Sequence, residues 1–308
     1  MSSQAPFAPP SPSLLDGEYP DYAALRHVPF ADARALADAV TSIVEEGAWA
    51  GERVDGLDGV AFAPDELYLT LARWTDEPGP TSDYTGQQVF YRSLQQRATD
   101  RLTMHDYLWR WDTDWFWCSR AFGAQHPVVR RFWPRRWRRS DVYWKLVALD
   151  RRLGIADRLD RRAGRPQGER VVQDVEIPVD RLTEFLDWFD REVGMRPVWL
   201  CPLRLRRDDA AGARPWPGYP LSPGTTYVNV GFWGVVNVGP DAPHSPRNRT
   251  VEAKVTELGG HKSLYSEAFY ERDAFDRLYG GANLRRVKAL HDPDDRLTAL
   301  YHKVVGRR

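Results

Sequence analysis

Residues 22–76 change hydrophobic rhythm three times. Tyr22 to Phe30 has the make-up of a strand. Asp32 then stands where a helix N-cap belongs, and Leu36, Ala39, Val40, Ile43 and Val44 recur behind it at helical spacing. A second strand is predicted around Val54 to Phe62. Pro64-Asp65 turns the chain into Leu67, Leu69 and Leu71, which alternate with Tyr68, Thr70 and Ala72. The predicted order is β-α-β-β.

Residues 171–233 repeat that order. Val175, Ile177 and Val179 alternate with Asp174, Glu176 and Pro178, and Asp180 is placed to cap a helix that carries Leu182, Phe185, Leu186 and Phe189 on one side. Val198 to Arg206 and Thr226 to Trp233 supply two further strands. Two such units predict an α+β fold: an antiparallel sheet of ferredoxin-like build with helices packed on one face. Between them, residues 84–168 read as a helical insert. Leu108, Trp111, Trp115, Cys118 and Phe122 follow spacings of three and four, and seven of the thirteen tryptophans lie between Trp109 and Trp144. Residues 207–225 read as a loop. Helices are predicted for Arg249 to Leu258, Arg272 to Tyr279 and Asn283 to Leu290, within a closing region 249–308. Residues 1–21, rich in Pro, Ser and Ala, read as a flexible tail or linker, so the ordered domain is expected over 22–308.

Composition narrows the function classes. With 43 basic and 43 acidic residues the formal net charge is zero, so no global field favours nucleic acid. Cys118 and Cys201 are too few for a disulfide scaffold and fit a reducing, cytoplasmic setting. No run is long and apolar enough to span a bilayer, and no signal peptide opens the chain. The sequence holds no glycine-rich phosphate loop, no Gly-x-Ser-x-Gly elbow and no Cys-x-x-Cys pair; its seven histidines are scattered singly, so no metal site is expected.

Four segments carry candidate chemistry. In Gly259-Gly260-His261-Lys262-Ser263-Leu264-Tyr265, strand alternation sets Lys262 and Leu264 on one face and His261, Ser263 and Tyr265 on the other. A lysine there can stabilise developing negative charge and a tyrosine can donate a proton; equally, the segment can be a strand edge with an exposed lysine and a buried tyrosine. Trp199 and Cys201 share one face of their strand. No neighbour in sequence activates Cys201, which reads as packing, while Trp199 and Asn229 are candidates to line a pocket. In Trp109 to Trp115, Arg110 and Asp114 stand four apart as a surface pair, and Trp111 and Trp115 either pack on the sheet or grip a flat apolar ligand. Residues 130–139 interleave six arginines with three aromatics, which suits a peripheral contact with anionic lipid, or a solvated surface paired with acidic neighbours.

Arg170-Val171-Val172-Gln173-Asp174, Pro197-Val198-Trp199-Leu200-Cys201-Pro202 and the Leu264-Tyr265 pair occur in the order and spacing that resemble the C-terminal portion of the 24-dehydrocholesterol (Δ24-sterol) reductases and their bacterial FAD-linked relatives. The resemblance covers about residue 22 to the C-terminus. It implies the vanillyl-alcohol-oxidase type of flavoprotein, in which an N-terminal FAD-binding domain is joined to a C-terminal cap that covers the flavin ring and shapes the substrate site. This chain then corresponds to the cap, with the FAD-binding domain absent from it. A split gene, a shortened reading frame or a domain used without flavin would each account for that.

The resemblance implies hydride transfer through FAD with NADPH as electron donor, and the tyrosine of the Leu264-Tyr265 pair matches a family position. Joined to the segment readings above, it gives Tyr265 and Lys262 as expected catalytic residues at the flavin edge, His261, Lys262 and Asn229 as expected cofactor contacts, and Trp199, Arg110, Trp111 and Trp115 as expected substrate contacts. His261 and Lys262 depart from the animal sterol-reductase pattern, so the implied substrate is sterol-like or another bulky apolar compound. The implied partners are a separate FAD-binding chain or domain and an apolar small molecule. The competing reading is a non-catalytic apolar-ligand or membrane-peripheral binding module.

Overall fold

The computed structural model describes residues 20–85, 89–112, 123–154, 158, 162, 168–205, 218–219, 221–239 and 242–305. They fall into two compact units: Met1–Pro29, Glu45–Asp58 and Tyr68–Leu149 form the first, and Phe30–Val44, Gly59–Leu67 and Asp150–Arg308 the second. In chain order the strands are β1 (Tyr22–Phe30), β2 (Ala48–Trp49), β3 (Glu52–Arg53), β4 (Gly56–Ala63), β5 (Glu66–Thr75), β6 (Thr99–Thr103), β7 (Gly168–Pro178), β8 (Val198–Arg204), β9 (Thr226–Asn237) and β10 (His261–Lys262). The described helices are α1 (Ala33–Glu46), α2 (Phe90–Ser93), α3 (Met104–Trp109), α4 (Pro127–Phe132), α5 (Ser140–Leu153), α6 (Leu182–Glu192), α7 (Pro246–Glu257), α8 (Arg272–Leu278), α9 (Gly281–His291) and α10 (Leu300–Val304).

The expected α+β architecture with an antiparallel sheet is what the chain forms. In the second unit the strand order is β10-β7-β9-β8-β4, and each neighbouring pair is antiparallel. The register aligns Asp174 with Gly231 and Glu176 with Asn229 across β7 and β9; Trp199 and Cys201 of β8 stand opposite the same two β9 positions. Residues facing one another across a ladder share a sheet face, so these form two polar rows on one side. The other side carries Val171, Val175, Ile177, Val228, Val230 and Phe232, all buried. Helices α6 and α7 cover that side: Phe189 packs its ring 4.6 Å from Phe232, and Gln173 donates to Asn248 at 2.6 Å. Each of these large apolar side chains contributes about 1.5–3 kcal/mol on burial.

Asp32 caps α1 as predicted, accepting from the Ala35 amide at 2.8 Å. Asp180 does not cap α6. A single 3-10 turn (Val179–Arg181) intervenes, and Arg181 takes the N-cap position without a side-chain cap bond. In the first unit β1 pairs with β6, and β5 lies on the other side of β1. Strand β6 (TDRLT) falls inside the predicted helical insert; only Leu102 is fully buried, so its hydrophobic alternation is too thin to read. The predicted helix through Leu108 is short: α3 ends at Trp109, and Trp115, Cys118 and Phe122 lie outside the described residues, as does Asp114. The tail at residues 1–19 and most of the predicted loop 207–225 also lie outside them.

Candidate active site on the helix-free sheet face

On a sheet, alternate positions of one strand point the same way, and β7 places Asp174 and Glu176 side by side on the face opposite α6 and α7. Both are buried. Asn229, Glu176's register partner, donates to its Oε1 at 3.1 Å, and Ser263 donates to the same oxygen at 2.9 Å. The Tyr219 hydroxyl also hydrogen-bonds Glu176, and the Tyr265 hydroxyl hydrogen-bonds Asp174. Tyr265 keeps 46% of its surface exposed, so the ring lies at the edge of the face with its hydroxyl turned inward.

The carboxylates have lost most of their water, and burial outweighs the hydroxyl donors. Asp174 is pushed up to about 7 and Glu176 to about 7, with the hydroxyl donors opposing the rise in each. Burial together with the carboxylates raises both tyrosine hydroxyls. His261 stands opposite Glu176 in the register, 4.7 Å from the Tyr219 ring and 4.9 Å from the Tyr279 ring. Burial lowers it to about 4, so it is a neutral imidazole at pH 7. The set therefore holds exchangeable protons on oxygen at neutral pH, which is what general acid chemistry requires.

Gly231 is required by this arrangement. A Cβ there would lie 2.5 Å from Asp174 Oδ1 and 3.3 Å from the Trp199 ring, so only glycine lets the carboxylate lie over β9. Gly231 is therefore buried beneath the Asp174 carboxylate and the edge of the Trp199 ring.

The predicted site residues separate into distinct places. His261, Ser263 and Tyr265 do share a face, and it is the face of Asp174 and Glu176. Asn229 and Trp199 lie on it too. Lys262 was expected at a flavin edge, but it is 0% exposed and points to the helix side. Its Nζ lies 3.2 Å from Glu252 Oε1 on α7 and donates to the Glu267 carbonyl at 2.5 Å. Glu252 accepts from the Phe269 amide at 3.1 Å, and Tyr279, held in the cluster of Phe275, Ala268 and Val304, donates to the Lys262 carbonyl at 2.8 Å. Burial lowers Lys262 and raises Glu252, with the attraction between them opposing both shifts. Lys262 fastens the C-terminal helices to the sheet and does not reach the polar face.

Arg110 and Trp111 belong to the first unit. Arg110 is buried, where a surface position was expected: its Nη2 lies 2.6 Å from buried Asp58 and its guanidinium sits 3.9 Å over the Tyr107 ring, while Asp114, the expected partner, lies outside the described residues. Trp111 packs edge-on against Phe90 at 5.0 Å. Trp115 lies outside the described residues. The first unit also contains an open cavity of about 860 Å³ whose wall includes Arg26, Glu52, Arg73, Glu77, Asp100 and Arg101. That many charges make it a poor home for an apolar ligand. Cys201 is a partly buried cysteine on the polar face that forms no disulfide among the described residues.

Sequence reasoning passed over Asp174, Glu176, Tyr219, Ser263 and Gly231. The available signal was the spacing of two between Asp174 and Glu176, which places both acids on one strand face.

On the polar face Asn229 Oδ1 and His261 Nε2 are buried with no hydrogen-bond partner among the described residues, while the backbone at Gly231 is covered by Asp174 Oδ1 and the Trp199 ring. Those two polar atoms fit a flavin ring edge or a substrate. Two carboxylates make the same face unsuited to holding a pyrophosphate.

No family model matches the chain. It is 31% identical over 144 residues to the Delta(24)-sterol reductase homolog of Caenorhabditis elegans, covering 45% of this chain and 26% of that protein. It is 26% identical over 144 residues to the Delta(24)-sterol reductase of Arabidopsis thaliana, covering 43% of this chain and 26% of that protein. For the Homo sapiens Delta(24)-sterol reductase the figures are 25% over 137 residues, 44% and 25%. The match thus takes in less than half of this chain, where the motif resemblance extended over most of it, and about a quarter of the length of these relatives. Over that stretch the chain is a Delta(24)-sterol reductase-like protein.

Proposed function

We infer that this chain supplies the substrate side of an FAD-linked oxidoreductase that reduces or oxidises a carbon–carbon bond of a sterol-like or other bulky apolar compound, with NADPH as electron donor and the flavin held by another domain or chain. The observation that carries the reading is the pair of buried carboxylates, Asp174 and Glu176, titrating near neutrality under tyrosine and serine hydroxyls on the sheet face opposite α6 and α7. Similarity to Delta(24)-sterol reductases supports the reaction class.

Reducing a carbon–carbon double bond needs a hydride at one carbon and a proton at the other. FAD, when bound, supplies the hydride. Tyr265 is at the exposed edge of the row, and its hydroxyl holds the proton for the second carbon. Asp174, raised to about 7 and so partly protonated at neutral pH, keeps that hydroxyl oriented and neutral, and in its protonated form returns a proton to it after transfer. Glu176, Tyr219 and Ser263 continue the row and serve as its reserve. His261 stays neutral and presents Nε2 to the ring or substrate, as does Asn229 through Oδ1. Trp199 gives the apolar wall.

The reading is tested by visible absorption of the chain with added FAD, alone and co-expressed with the flavin-binding domain. A bound flavin spectrum in the combined product, altered by Asn229→Ala or His261→Ala, supports it. A combined product that binds flavin with a spectrum indifferent to every substitution on this face overturns it.

A further inference from the structure

Between Asp114 and Asp141 the sequence holds seven arginines and no acidic residue, within a chain whose net charge is zero. A segment of that charge usually lies loose in solvent. Here it is built. Arg138 is buried and turns its guanidinium back onto the chain, donating to the carbonyls of Trp133, at 2.9 Å, and Arg130. Trp133 Nε1 donates to the Trp137 carbonyl at 3.1 Å, and the Trp133 ring packs 6.1 Å from buried Tyr143. Helix α4 and the turn after it are thereby clasped into a knuckle from the inside.

The outer surface of that knuckle is apolar and cationic together. Val128 and Phe132, four apart on one side of α4, are 59% and 78% exposed, and Trp137 is 50% exposed. Around them Arg131, Arg135 and Arg136 are exposed and form no ion pair among the described residues, while Arg136 lies 5.5 Å over the Trp137 ring. The nearby acids Asp112 and Asp141 are taken by Arg139, and Asp141 also by Lys145. A solvated surface run would pair its arginines and bury its aromatics; here Arg131, Arg135 and Arg136 form no ion pair among the described residues, and Phe132 and Trp137 stay exposed.

We propose that the knuckle formed by residues 127–139 docks on an anionic phospholipid surface, with Phe132, Trp137 and Val128 entering the headgroup–acyl boundary and Arg131, Arg135 and Arg136 pairing with lipid phosphates. Exposed aromatics of this kind settle at the interface, and cationic side chains add electrostatic attraction to an anionic leaflet. The exposed aliphatic Val128 beside Phe132 gains from an acyl boundary and not from a nucleic-acid strand, and a chain of zero formal net charge offers no global field for one. Among the described residues no helix is long and apolar enough to cross a membrane, so the contact is peripheral. For an enzyme acting on a bilayer-dissolved substrate the contact brings the protein to its substrate pool, but the docking itself does not rest on that reading.

The test is co-sedimentation of the full chain with vesicles of phosphatidylcholine mixed with phosphatidylserine, against phosphatidylcholine alone, at rising salt. Binding to the mixed vesicles that weakens with salt is expected. Replacing Arg131, Arg135 and Arg136 by Gln should weaken it by about fivefold for each arginine, about a hundredfold together. Phe132→Ser with Trp137→Ser should weaken it at least tenfold on an unchanged charge. All five side chains are exposed and Arg138 is kept, so thermal melting should match the parent's. The proposal fails if the parent ignores anionic vesicles, if the arginine variant binds as the parent does, or if the Phe132/Trp137 variant binds vesicles undiminished. Tighter binding of the parent to poly(U) RNA than to the vesicles also overturns it and marks a nucleic-acid surface.

Discussion

Replacing Lys262 by Met separates two roles that the sequence alone leaves open. At a flavin edge, a lysine lost would slow turnover and leave stability alone. In the structure the side chain is fully buried, its Nζ lies 3.2 Å from Glu252, and Glu252 is itself 4% exposed at the side chain. Methionine fills a similar volume, so little cavity forms. The cost is Glu252, left buried with the Phe269 amide and the weaker attraction of Arg249 to answer its charge. Breaking one side of a buried ion pair costs about 3–5 kcal/mol. At about 2–4 °C per kcal/mol for a cooperative unit of this size, the melting temperature should fall by roughly 6–20 °C.

The assay is urea denaturation followed by tryptophan fluorescence, repeated across pH. Burial already raises Glu252, and the variant removes the cation that holds it down, so its folded pKa rises further. A carboxylate with a raised folded pKa is less destabilising once protonated, so the deficit should shrink as pH falls through that pKa. Glu252→Gln in the Lys262→Met background should recover much of the loss, since both charges are then gone. A Lys262→Met protein within 1 kcal/mol of the parent, by the scale of a surface pair, would refute the structural role and return Lys262 to the list of cofactor contacts.

Three further outcomes follow from the same geometry. Asp174 and Glu176 rise to about 7 on folding, so their contribution to stability is full below the ordinary carboxylate range and is lost as pH climbs to about 7; Asp174→Asn with Glu176→Gln should flatten that decline in a pH series of melts. Gly231→Ala sets a Cβ against Asp174 and should cost about 1–3 kcal/mol by denaturation while abolishing turnover of the holoenzyme. Arg110→Met in the first unit leaves Asp58 buried and unpaired at a cost of about 3–5 kcal/mol, and Arg110→Lys should not restore the parent because the planar stack over Tyr107 is lost.

The sequence carried the architecture further than it carried the site. Alternation at Val175, Ile177 and Val179 marked β7, and helical spacing marked α1 and α6, because those residues pack against a single layer. The same alternation assigned Asp174 and Glu176 to a polar face, and the usual meaning of acids on a strand is solvent. Their burial comes from Tyr219, Ser263 and Tyr265, which approach from loops 40 to 90 residues away along the chain. Lys262 shows the same limit. Alternation rightly parted it from His261 and Tyr265, yet which face the helices would cover depended on α7, whose Glu252 and Asn248 are polar residues in an unremarkable helix. Arg110 was paired with a neighbour four residues on because helix spacing is legible locally; Asp58, 52 residues earlier, is not.

The central claim is that protons held on the Asp174–Tyr265 row complete the reduction of a carbon–carbon bond. Its most direct test is the pH dependence of double-bond reduction of a Δ24-sterol by the flavin-loaded enzyme, run in parallel for the parent, Tyr265→Phe and Asp174→Asn. The account predicts that the parent's rate falls as pH rises above about 7, that Asp174→Asn is slow and loses that inflection, and that Tyr265→Phe is slow without loss of stability or flavin. A parent rate that is flat through pH 7, or a Tyr265→Phe enzyme as fast as the parent, would contradict it.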